Sequence, residues 1–176
     1  MNIIALDYIE RTFPNSKIIV MLQDPRDAML SSFFQNFRIN LMTYHFLTLK
    51  GAANFYAPVM RLYTLYRQKL SFNIIEVKYE DLVTDLQGKV KRILNFLGLE
   101  WEDSILRYYE QALMKMIYTP SYEQVIKPVY LSSIDRWKNY KCYLEPIMSI
   151  LEPYIRNFGS RVCHVTIIKY CLWAEI

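Results

Sequence analysis

Glycine is scarce in this chain of 176 residues, with only four in all. That shortage argues against a glycine-rich all-β design. It also removes two glycine-dependent signatures: neither Gly-x-x-x-x-Gly-Lys-Ser/Thr nor Gly-x-Ser-x-Gly occurs. Histidine is scarcer still, with His45 and His164 the only two. Neither has a carboxylate nearby in sequence, so both read as structural or surface residues and no metal cluster is expected. The three cysteines, Cys142, Cys163 and Cys171, are odd in number and match no zinc spacing. A reducing, cytoplasmic setting is the simplest expectation. No uncharged apolar window is long enough to span a bilayer, and Asp7, Glu10 and Arg11 interrupt any signal-peptide core. Strong charge of one sign is also missing. The net charge of +4 allows an anionic ligand but is too small and dispersed for nucleic acid. The one basic run, Lys89-Val90-Lys91-Arg92, reads as a solvated helix face.

What the chain does have is an apolar and unusually aromatic composition, with fifteen Tyr and nine Phe. Its length suits one core and one domain. The most informative stretch is Lys17 to Phe34, KIIVMLQDPRDAMLSSFF. Ile18 to Leu22 form a short unbroken apolar run, which suits a strand buried on both faces. Asp24-Pro25 breaks the run. Asp27 is then the expected N-cap of a helix that turns Met29, Leu30, Phe33 and Phe34 inward. Ligands of open α/β sheets bind beyond the carboxyl ends of the strands, where helix N-termini favour anions. Here that crevice would be lined by Gln23, Asp24, Arg26, Ser31 and Ser32. The plainer alternative is a polar turn with Arg26 and Asp27 forming a surface pair.

Elsewhere, Asn2 to Phe13 place Ile3, Ile4, Leu6, Ile9 and Phe13 at helical spacing. Phe37 to Lys50 is aromatic and irregular. A helix follows Gly51, with Phe55, Val59, Leu62, Tyr63, Tyr66 and Leu70 on one face, and Pro58 should fall in its first turn. Phe72 to Lys78 reads as a second strand ending in Tyr79-Glu80-Asp81-Leu82. Thr84 or Asp85 caps a helix with the stripe Val90, Ile93, Leu94 and Leu97, stopped by Gly98. A further amphipathic helix is expected from about Trp101 to Met116. Thr119 to Tyr140 is long and irregular, the kind of segment that usually carries function. Helix resumes near Leu131 and again from Tyr143 to Phe158, and Val162 to Ile168 is a possible late strand. The alternation implies a parallel sheet covered on both faces.

Three of these segments together resemble one family. Gln23-Asp24-Pro25-Arg26-Asp27, with Ser31 after it, is similar to the Arg-Asp-Pro-Arg-Asp-x-x-x-Ser segment of sulfotransferases that use 3′-phosphoadenosine-5′-phosphosulfate (PAPS). Tyr79-Glu80-Asp81 is similar to that family's motif after a strand. SYEQVIKPVYLSSIDRW, Ser121 to Trp137, is similar without a gap to a segment of the tyrosylprotein sulfotransferases and their bacterial relatives with tetratricopeptide repeats. The three occur in order and cover roughly Asn2 to Phe158.

The resemblance implies a three-layer α/β fold, a parallel sheet flanked by helices of the P-loop NTPase-like sulfotransferase type, incomplete at the N-terminus. Residues 1–159 would be the C-terminal part of the domain and 160–176 an unplaced tail. It implies that Ser31 binds the 3′-phosphate, that Tyr79 lies by the adenine, and that Arg136 closes over the phosphate end. Ser121 would contact the transferring group. The implied ligands are PAPS or adenosine 3′,5′-bisphosphate and a hydroxyl-bearing acceptor, with no metal. Gln23 stands where the family has a phosphate-binding arginine. Replacing a charge-assisted bond by a neutral one costs roughly 1–2 kcal/mol; Gln23 is still expected on the cofactor, together with Arg26, the nearby cation in sequence that could compensate. The family's 5′-phosphosulfate loop and catalytic base find no match in the chain. Two outcomes follow: a sulfotransferase acting with a missing N-terminal half, or a non-catalytic remnant that binds nucleotide or a partner chain.

Overall fold

Ile18, Val20 and Leu22 point to one side of the first strand and Ile19 and Met21 to the other, because successive strand side chains alternate. In the computed structural model, which describes residues 2–71, 73–107 and 134–158, each side meets its own helical layer. Strand β1 (Lys17–Leu22) pairs in parallel with β2 (Asn73–Lys78), in the register Lys17 opposite Asn73 through Leu22 opposite Lys78. This is the expected pairing, and it leaves both carboxyl ends at the same edge. Among the described residues the sheet has these two strands.

Four helices frame the first strand on its more heavily covered side. They are α1 (Leu6–Thr12), α2 (Pro25–Phe34), α3 (Leu49–Lys69) and, much later in the chain, the C-terminal helix Met148–Phe158. The core there gathers Leu6, Ile18, Val20, Leu30, Met60, Tyr63, Leu144 and Leu151. The other side is smaller: Ile19, Ile75 and Val77 pack against Leu82, Ile93, Phe96 and Leu97. Leu82 comes from α4 (Tyr79–Thr84) and the other three from α5 (Leu86–Leu97). The chain is thus α/β with helices on both faces of a parallel sheet. A 3₁₀ turn at Arg136–Tyr140, then α6 (Lys141–Leu144) and a 3₁₀ turn at Glu145–Ile147, lead into the last helix, numbered α7.

Local signals explain most boundaries. Asp85 caps α5 by accepting from the Gly88 N–H, and Gly98 ends it at φ 78° in the left-handed region. Thr48 caps α3 in the same way through Gly51. Other expectations are corrected. Pro58 lies well inside α3, which starts earlier than the sequence suggested, at Leu49. The buried face of α3 is Ala52, Ala53, Tyr56, Met60 and Tyr63, since two alanines let neighbouring elements come close. The first segment is a 3₁₀ turn, Asn2–Ala5, before α1, and Ile4 and Phe13 are exposed. Phe33 and Phe34 are likewise exposed and not core. After Trp101 the described chain forms a 3₁₀ turn, Asp103–Arg107, in place of the start of a long helix. The expected late strand at Val162–Ile168 and Ser121 lie outside the described residues. Among those residues no helix is long and apolar enough to cross a membrane.

Candidate functional site

At the end of β1 the chain meets Gln23 and Asp24, both buried. The helix starts at Pro25, whose fixed φ and missing N–H suit a first helical position. Asp24 is therefore the N-cap, and the expectation that Asp27 plays that part is corrected. The Asp24 carboxylate accepts from the Arg26 N–H at 2.9 Å and from Arg26 Nε at 2.8 Å, and its second oxygen accepts from Nη2. One carboxylate thus caps the helix and grips a guanidinium with both oxygens. The same guanidinium lies over the Trp137 ring, 3.6 Å from its centre. Arg26 is committed to a buried pair and a ring, and the surface pair with Asp27 does not form.

The second strand end is tied to the first. The Asp24 N–H donates to Glu80 Oε1 at 2.9 Å, two residues after β2 closes. Burial pushes the Glu80 carboxyl above its ordinary range. Its other oxygen is buried and has no partner among the described residues. Tyr79, just before it, opens α4 half-buried.

The third segment arrives through Asp27. This side chain is 2% exposed, in the first turn of α2. Its two oxygens accept the backbone N–H groups of Asp135, at 2.9 Å, and Trp137, at 2.7 Å. Asp135 stands at φ 59°, a left-handed conformation that Asp tolerates better than most residues. That reversal aims two amides two residues apart at one carboxylate. Burial raises the Asp27 pKa to about 6, against the two amide bonds that lower it and with the nearby Asp24 and Asp135 charges adding to the rise. Asp135 itself is held below the usual range by Lys138.

Arg136 lies between those two amides, half-buried, with its guanidinium carbon 4.7 Å from the centre of the Phe34 ring. Among the described residues it makes no ion pair. Asp27, Ser31 and Phe34 are four and three residues apart, so they share one face of α2. Half-buried Ser31 therefore lies on the face that receives the Arg136 turn. Ser32 does not join it. It is buried and lines a mostly apolar cavity of about 380 Å³ with Ile3, Met29, Phe46, Tyr56 and Met60.

Of the residues singled out from sequence, Arg26 and Arg136 are joined through Trp137, Asp27 and Phe34; Gln23 precedes Asp24 in the chain, Ser31 shares the Asp27 face of α2, and Tyr79 precedes Glu80. Ser121 lies outside the described residues. The sequence reading missed the parts played by Asp24, Glu80, Asp27 and Trp137. Proline at a first helical position was a usable signal for the Asp24 cap. Nothing local could have paired Asp27 with amides 108 and 110 residues away.

Known proteins point the same way. Residues 1–103 match the model of the sulfotransferase family. An uncharacterized protein of Aquifex aeolicus is 29% identical over 90% of this chain and 22% of its own length. Protein-tyrosine sulfotransferase A of Caenorhabditis elegans is 28% identical over 74% of this chain and 35% of its own. Protein-tyrosine sulfotransferase 2 of Gallus gallus is 26% identical over 86% and 45%. The chain therefore spans less than half the length of these relatives.

Proposed function

Because the chain belongs to the sulfotransferase family, we propose that it holds the nucleotide end of PAPS in a domain that moves the sulfuryl group to a hydroxyl acceptor, a peptide tyrosine or a carbohydrate. In that transfer the acceptor oxygen bonds to sulfur, the bond from sulfur to the 5′-phosphate oxygen breaks, the acceptor proton leaves to a base, and adenosine 3′,5′-bisphosphate departs. The observation that carries the reading is the interlock of three distant segments at the carboxyl ends of two parallel strands, through Asp24 with Glu80 and Asp27 with the Arg136 turn.

The residues fit an anionic nucleotide. Asp24 is neutralised by Arg26, and Asp27 is answered by two amides, so neither carboxylate leaves the crevice unavailable to phosphate. Ser31 offers a hydroxyl for the 3′-phosphate, on the helix face that receives the Arg136 guanidinium. Tyr79 lies by the adenine in this reading. Sulfuryl transfer, like phosphoryl transfer, depends on positioning and on fixed donors around spreading negative charge. Gln23 is a neutral donor, and Arg26 does not stand in for the missing charge, being held by Asp24 and Trp137.

Residues 1–159 form the domain part in this reading and 160–176 a tail. Ser121 is assigned to the reacting end. The 5′-phosphosulfate loop and the base are assigned to sequence beyond these residues, supplied as a further segment or chain. The exposed free thiol of Cys142 is compatible with a cytoplasmic setting.

Calorimetry with adenosine 3′,5′-bisphosphate tests the reading. Ser31→Ala should weaken binding, and Gln23→Arg should tighten it about tenfold by restoring a charged fork. The gain should shrink at higher salt, because the attraction is screened. A folded wild type with no affinity for the nucleotide would overturn it.

A further inference from the structure

Among the described residues, the turn that carries Arg136 is hydrogen-bonded to α2 through one side chain, Asp27. Arg136 has no ion pair of its own among them and rests on the exposed Phe34 ring. Its backbone is held from both sides: the amide before it and the amide after it each donate to Asp27. Trp137 adds a second hold, stacking on the Arg26 guanidinium and packing with Tyr140 against the larger core. Lys138 pairs with Asp135 on the surface, and Lys141 lies 5.6 Å from the Trp137 ring. We propose that Asp27 is the positioning residue for Arg136, its buried carboxylate setting the turn that aims this guanidinium over the Ser31 face of α2.

The inference rests on the reading of Arg136 as a phosphate-facing residue. Its physical basis is the number of acceptors. A carboxylate presents two oxygens, and both are used. An amide of the same shape presents one oxygen and one NH₂ group, so one backbone N–H would then face another donor. The charged neighbours do not offer a substitute acceptor. Asp24 is filled by Arg26 and the α2 cap, Asp135 is turned to Lys138, and the remaining neighbours, Arg26, Arg136, Lys138 and Lys141, are cations.

The full chain tests this with two readouts. The first is hydrogen exchange at the Asp135 and Trp137 amides. The second is affinity for adenosine 3′,5′-bisphosphate in a cycle of Asp27→Asn, Arg136→Gln and the double variant. Asp27→Asn should speed exchange at these amides and weaken the nucleotide about tenfold. In the Arg136→Gln background it should weaken the nucleotide no further, because its effect passes through Arg136. Should Asp27→Asn not fold, Asp135→Pro interrupts the same link from the surface side, lacking the N–H and the φ of 59°. Asp135→Gly, which keeps both, should bind like wild type. Unchanged exchange, or losses that add across the cycle, would overturn the proposal. If wild type binds no nucleotide, the functional reading fails on its own. The positioning role is then decided by exchange alone, faster supporting it and unchanged overturning it.

Discussion

A carboxylate with two backbone amides on it is usually comfortable as an anion, yet Asp27 has its pKa raised to about 6 because burial outweighs both bonds. The sign of the stability effect follows. The ordinary value is 3.8, so between about 6 and 3.8 the folded chain binds this proton more tightly than the unfolded chain does. Stability from this group therefore rises as pH falls through about 6 and is complete below the unfolded value. Between pH 7 and pH 5 wild type should gain about 1 kcal/mol relative to Asp27→Asn, read from urea unfolding at each pH. Parallel profiles for the two proteins would show that Asp27 titrates as an ordinary carboxyl. Glu80 is shifted the same way by burial, so only the comparison with the variant isolates Asp27.

Among the elements, α3 is the one whose sequence and structure disagree most. Proline in a helix interior removes the bond to the carbonyl four residues earlier and crowds it. Pro58 nevertheless stands in the middle of α3, on its exposed side. The neighbouring Ala57 carbonyl accepts from Tyr154 Oη at 2.8 Å, which ties this part of α3 to α7. Pro58→Ala should restore the missing backbone bond and raise stability by about 1–3 kcal/mol. Thermal unfolding would measure it, and a loss of stability would mean that the Tyr154 contact depends on the helix distortion that proline causes.

At the scale of the whole molecule, the larger core joins the beginning of the chain to its end. Ile3 and Leu6 share a cluster with Leu144, Ile147 and Leu151, with α3 and β1 between them. Leu151 is fully buried. Leu151→Ala should cost about 2–5 kcal/mol, with one transition followed by far-ultraviolet circular dichroism and by tryptophan fluorescence. Two separated transitions would show that α7 folds apart from the strands. This same closure brings the Arg136 turn, which directly precedes α6 and α7, back onto α2.

The strands, their parallel pairing and the caps at Asp85 and Gly98 were legible in the sequence, because apolar runs, turn residues and left-handed glycine act within a few positions of themselves. The set Gln23, Ser31, Tyr79 and Arg136 also came from short segments, and its nucleotide-binding role is a proposal for calorimetry to test. Helix faces were less legible: Phe33 and Phe34 are apolar but exposed, and Phe34 serves as a floor for Arg136. Only the tertiary structure decided that Arg26 belongs to Asp24 and Trp137, that Glu80 joins the two strand ends, and that Asp27 receives amides from more than a hundred residues away. Those choices depend on which buried donors lie within about 3 Å of which acceptors, and chain order does not contain that distance.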